Sequence, residues 1–146
     1  RTQVDPAGSV RVVDAAGDWL GHRDGADATI VACGFALPEA MALATALEAR
    51  GLRAGVLQRV NVSARDCAPA VAAAARTGRV AIVDDTKSVI RASLHVTAAL
   101  RRDVPGIRLV EIVRDPWRDE LSAPVADSLP IDAAALARAW GLDDAQ

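Results

Sequence analysis

The sequence predicts an α/β domain whose mostly parallel sheet is covered by helices on both faces. Two apolar runs, Ala28 to Cys33 and Val80 to Val83, show no alternation with polar residues, the pattern of strands buried on both sides. Between such runs lie segments with apolar residues at helical spacing, opened by Pro or Asp and closed by Gly. The apolar share of 51% is mostly Ala, Val and Leu, with only 3% aromatic residues, which suits close helix–sheet packing. Strands that alternate with helices require right-handed crossovers, hence a three-layer α/β/α arrangement. A chain of 146 residues has the size of one domain and buries roughly two thirds of its unfolded surface.

Taken in order, residues 1–25 read as a leading strand and loop, with the β-like run Val10 to Val13 followed by turn chemistry at Ala16-Gly17-Asp18 and Gly21 to Gly25. The core, 26–140, opens with the buried strand Ala28–Cys33, ended by Gly34. Pro38 fits a first helical turn, Met41, Ala44 and Leu47 follow at helical spacing, and Gly51 stops the helix. Leu52 to Leu57 reads as the next strand, and Asp66 is placed to cap a helix over 67–76 that Gly78 closes. Arg79 to Val83 is another buried strand, and Ile90, Leu94 and Ala98 put an apolar stripe on a helix over 88–101. Pro105-Gly106 breaks the chain before a last strand, Arg108 to Val113. After a loop containing Pro and Asp, Asp132 caps a short helix ending near Trp140. No linker or low-complexity stretch interrupts this, so 1–146 reads as a single domain.

Composition also excludes functions. A net charge of −2, with arginines dispersed among acidic residues, gives no field for nucleic acid. No apolar run approaches the about 20 residues that span a bilayer, and the first residues lack a signal peptide's apolar stretch, so no membrane role and a cytoplasmic location are expected. Cys33 and Cys67, with His22 and His95, show no metal-ligand spacing. The chain begins at Arg1 and not at Met, which points to a piece of something longer.

The order and spacing of these segments resemble the C-terminal domain of transketolases and of the beta subunits of 2-oxo acid dehydrogenases. The likeness rests on Asp27 to Gly34 with Pro38-Glu39-Ala40 and Leu43, on Gly51-Leu52, Asp66 and Thr77 to Asp85, and on Asp115 to Pro124. It implies a five-stranded sheet, four strands parallel and one antiparallel, the first supplied by Val10 to Val13. Where the family often has glycines after the acidic strand end, this chain has Thr86-Lys87-Ser88-Val89-Ile90, so its loop is expected to differ. Members of the family hold thiamine diphosphate and magnesium on an earlier domain with a Gly-Asp-Gly motif, and a second domain supplies the activating glutamate. Neither is found here, and the only glycine at a strand end resembling a phosphate loop is Gly34, in Gly34-Phe35-Ala36. The resemblance therefore implies a chain that binds no cofactor alone and is not catalytically competent alone. Thiamine diphosphate and Mg would sit in partner domains of a transferase or oxidoreductase. Its partners would be the cofactor-binding domains or subunits, in a dimer or hetero-oligomer, with an acyl-carrier or lipoyl domain as a further candidate. The alternative is a free-standing module of the same fold that recognises such a carrier or a small anion.

Candidate contacts follow from position. Asp84, Asp85, Thr86 and Lys87 leave a central strand where α/β sheets place their crevices, and Gly34 leaves its neighbour. Thr86 or Ser88 can equally cap the next helix, and both readings stand at this point. Gln58 and Arg114 belong to strand ends on the same side. Trp117 and Arg118, beside Pro116 in a polar loop, are residue types enriched at binding hot spots, and the alternative is that the indole folds back over the sheet. Cys67, at a helix start, is either a thiol acidified by the helix dipole or a packing residue. Trp19 is expected to anchor the leading loop and Trp140 to cover the core, while His22 is expected to be solvated.

Overall fold

The computed structural model describes residues 2–3, 10–87, 90–114, 129 and 131–142. Among these described residues seven strands form one sheet: β1 (Thr2–Gln3), β2 (Val10–Val12), β3 (Trp19–Arg23), β4 (Ala28–Cys33), β5 (Ala54–Arg59), β6 (Arg79–Asp84) and β7 (Arg108–Val113). Their spatial order is β1-β2-β3-β5-β4-β6-β7. The last four in chain order are mutually parallel, and β3 joins them by antiparallel pairing with β5. The helices are α1 (Leu37–Glu48), α2 (Ala68–Thr77), α3 (Leu94–Asp103) and α4 (Ala133–Ala139).

The three layers follow from the two-residue period of the strands. Ile30, Ala32, Val56, Ala81 and Val83 face α1 and α4, where Leu43, Leu47, Leu136 and Trp140 close over them. Val31, Cys33, Val80 and Ile82 face α2 and α3, represented by Ala70, Ala74, Val96 and Leu100. Trp140 is fully buried, as its expected role requires. Gly78 ends α2 with φ 70°, a left-handed position that glycine takes without a steric penalty. Asp132 caps α4 by accepting the Ala135 N–H at 2.9 Å.

Three sequence expectations are corrected. The antiparallel neighbour of the parallel strands is β3, not Val10 to Val13, and β2 and β1 extend the sheet outward to seven strands instead of five. The stretch read as a loop thus contains a strand. Trp19 and Gly21 alternate inward along it, and the Trp19 indole N–H donates to Asp66 O at 2.8 Å. His22 sits at a bulge in that strand, half-buried, with Nε2 2.7 Å from Gln58 Oε1, and is not a solvated turn residue. Finally, α3 begins at Leu94, so Ile90 precedes it, and its buried face is Val96, Ala99 and Leu100.

Candidate functional site

Parallel strands deliver their following loops to one edge, and here the register is explicit. Cys33 of β4 lies beside Arg59 of β5 and Asp84 of β6, and Asp84 lies beside Val113 of β7. Gly34, Gln58, Asp84, Asp85, Thr86 and Lys87 therefore gather at the C-terminal edge of the sheet. Ser88 and the loop carrying Trp117 and Arg118 lie outside the described residues.

Asp84 is 1% exposed and both of its oxygens are engaged. Oδ1 accepts the Thr86 N–H at 2.9 Å and the Thr86 hydroxyl, and Oδ2 accepts the Ser93 N–H at 2.8 Å. Thr86 Oγ1 in turn accepts the Ala92 N–H at 3.2 Å. One carboxylate thus binds Thr86 beside the strand end and holds the start of α3 from nine residues upstream. Thr86 belongs to this loop and does not cap the helix. Arg59, wholly buried, ties the same edge together by donating from Nη1 to Ala92 O at 2.7 Å and from Nη2 to Ala64 O. Asp85 pairs with Arg114, whose Nε and Nη2 lie 2.6 and 2.5 Å from Oδ1. The acidic strand end is therefore spent on internal bonds, and Lys87 is exposed beside it.

The thiols follow burial. Desolvation, with Asp84 as the next cause, pushes Cys33 up to about 12, and desolvation also raises Cys67. The helix-start position does not acidify Cys67, whose role is packing beneath α2. Among the described residues no group of three His, Cys, Asp or Glu side chains is placed to hold a metal ion.

The same edge also presents large apolar side chains, beside exposed Asn61, Arg65 and Lys87. Phe35 is 92% exposed, Ile90 70%, and Val60, Val62 and Leu94 about half. All five lie in the loops after β4, β5 and β6 or at the start of α3, so the topology puts them on the same edge. The sequence reading put Ile90 and Leu94 on the apolar stripe of a helix, where the structure leaves both exposed, and it did not single out Phe35, Val60 or Val62 as contacts, although Phe35 next to Gly34 in a strand-end turn was a readable signal.

Fold and strand register together define a three-layer α/β domain with a mostly parallel sheet. The chain belongs to the family described as "Transketolase, C-terminal domain", which matches residues 17–143. Among solved structures it is similar to one titled "Split gene transketolase, inactive beta4 tetramer", with a TM-score of 0.66 and 24% identity. The likeness covers 83% of this chain and 39% of that one, so this chain spans about two fifths of that protein's length. No curated protein matches the sequence. Among the described residues no helix is long and apolar enough to cross a membrane.

Proposed function

We propose that this chain is the non-catalytic C-terminal domain or subunit of a thiamine-diphosphate enzyme of the transketolase or 2-oxo acid dehydrogenase kind, and that its C-terminal sheet edge seats on the cofactor-binding domains. The observation that carries this is the set of exposed apolar side chains, Phe35, Val60, Val62, Ile90 and Leu94, gathered on one edge. Exposed apolar surface of this sort, rimmed by polar groups such as Lys87 and Asn61, marks an interaction surface. The occupant is the remainder of the same enzyme, because the family is a C-terminal domain and the chain spans 39% of its structural neighbour. That neighbour's tetrameric title supports an oligomeric assembly for this chain as well.

Thiamine diphosphate and Mg belong to the partner domains in this reading. There the cofactor supplies the carbanion chemistry, and this chain's residues contribute fixed surface instead of a chemical step. Trp117 and Arg118 are retained as contacts with the same partners or with an acyl-carrier or lipoyl domain. The free thiols of Cys33 and Cys67 accord with a reducing compartment such as the cytoplasm. Calorimetric titration of the chain with thiamine diphosphate and Mg is expected to give no saturable heat, and micromolar binding would overturn the division of roles.

A further inference from the structure

The exposed apolar side chains of the docking edge come from separate pieces of chain. Phe35 sits in the turn after β4, Val60 and Val62 in the loop after β5, and Ile90 and Leu94 at the start of α3. Loops that become ordered only on docking lower the affinity that apolar burial can deliver. How these pieces are held to one another therefore decides how well the edge can bind.

The loop after β5 is fastened from the side of β3. Asp18 O accepts the Val60 N–H at 2.8 Å, and Asp18 Oδ1 accepts from Asn61 Nδ2 at 3.0 Å. Trp19 holds Asp66 O from the same side, and within the loop the Ala64 N–H donates to Asn61 O at 3.1 Å. The piece before α3 is fastened from β6, by Asp84 through Thr86 and Ser93 and by Thr86 through Ala92. None of these bonds runs from one piece to the other. Arg59 supplies the bonds that do, Nη1 reaching Ala92 O at 2.7 Å and Nη2 reaching Ala64 O.

A guanidinium is a costly way to stabilise this place. Arg59 is 0% exposed, forms no ion pair among the described residues, and leaves Nε without a hydrogen-bond partner. Burying such a charge carries a desolvation penalty that an apolar side chain of similar length avoids. What the planar fork adds is reach to two carbonyls at once, which neither an apolar residue nor the single ammonium of a lysine reproduces. We infer that Arg59 is the positioning residue of the docking edge, a buried fork that locks the loop carrying Val60 and Val62 to the piece carrying Ile90 and Leu94, so that both meet the cofactor-binding domains as one preformed surface. The role rests on the docking reading for what the surface meets, and on the two hydrogen bonds for how it is held.

Amide hydrogen exchange of the chain, and its affinity for the cofactor-binding part of the enzyme, test the locking and the docking separately. Both are measured for the native sequence, Arg59→Met, Arg59→Lys and Phe35→Asp. In Arg59→Met the Ala64 and Ala92 amides exchange about tenfold faster while those of β4 and β6 stay as slow as in the native chain. Assembly weakens by about tenfold, because the two loops must then be ordered on docking. Arg59→Lys gives the same pattern, and it decides the matter if the methionine variant does not fold. Phe35→Asp loses assembly with native exchange at both amides. Native exchange at Ala64 or Ala92 in a folded Arg59 variant, equally faster exchange throughout β4 and β6, or faster loop exchange with undiminished affinity would each overturn the role of Arg59. A Phe35→Asp chain that assembles like the native one would instead overturn the docking edge itself, and with it the surface that Arg59 serves.

Discussion

Cys33, Arg59 and Asp84 stand abreast at the ends of three adjacent strands, none more than 1% exposed. A carboxylate and a guanidinium at that depth are tolerable only because each is bonded to loop backbone, Asp84 to N–H groups and Arg59 to carbonyls. The thiol has no such compensation and stays neutral. In the folded chain it titrates at about 12, against 9.0 for an ordinary thiol. The unfolded form therefore ionises first as pH rises, so the stability this group contributes is complete below pH 9 and is lost as pH climbs toward 12. The loss is about 1.4 kcal/mol per pH unit in that window. The chain has no tyrosine and one lysine, so few other groups titrate there. Urea unfolding at pH 8 and pH 10 is expected to show this loss in the native sequence and a shallower one in Cys33→Ala, with Cys67 supplying the remainder. An equal loss in both proteins would contradict it.

At the scale of the element, what the sequence disclosed is what local pattern encodes. β4 and β6 were readable because a buried parallel strand is a continuous apolar run, and Pro38, Gly78 and Asp132 locally mark ends of α1, α2 and α4. β3 was hidden because Gly21 and the bulge at His22 look like turn residues. Gly21 is there for space, since a Cβ would meet the Val13 side chain at 3.1 Å. The start of α3 was hidden because its N–H partner, Asp84, lies nine residues away across the loop. For the same reason the strand-end position of Asp84 to Lys87 was legible, but the consumption of Asp84 and Thr86 by Ser93 and Ala92 was not. The contact of Gly25 with Gly55 locks the chain's turn from β3 into β4 onto the start of β5. Gly25→Ala is expected to cost about 1–3 kcal/mol through overpacking against backbone, read as a lowered urea midpoint. A variant as stable as the native chain would show that this approach is not tight.

For the molecule as a whole, the two ends of the sheet are chemically unlike. At the C-terminal edge exposed apolar side chains surround a buried, self-bonded acidic strand end, whereas at the N-terminal edge Arg11, Arg23 and Arg53 are ion-paired with Asp24, Glu48 and Asp27. A single domain gains nothing by leaving Phe35 92% exposed, whereas a domain that completes a larger enzyme gains an interface. The most direct measurement is sedimentation velocity of the chain mixed with the cofactor-binding part of its enzyme, comparing the native sequence with Phe35→Asp. Because Phe35 is solvent-exposed, the substitution is expected to leave the melting temperature of the chain unchanged. The native chain should sediment as a complex and Phe35→Asp should sediment largely unbound. Native chain that remains separate from the cofactor-binding part, or a Phe35→Asp chain that assembles as well as the native one, would contradict the proposed docking edge.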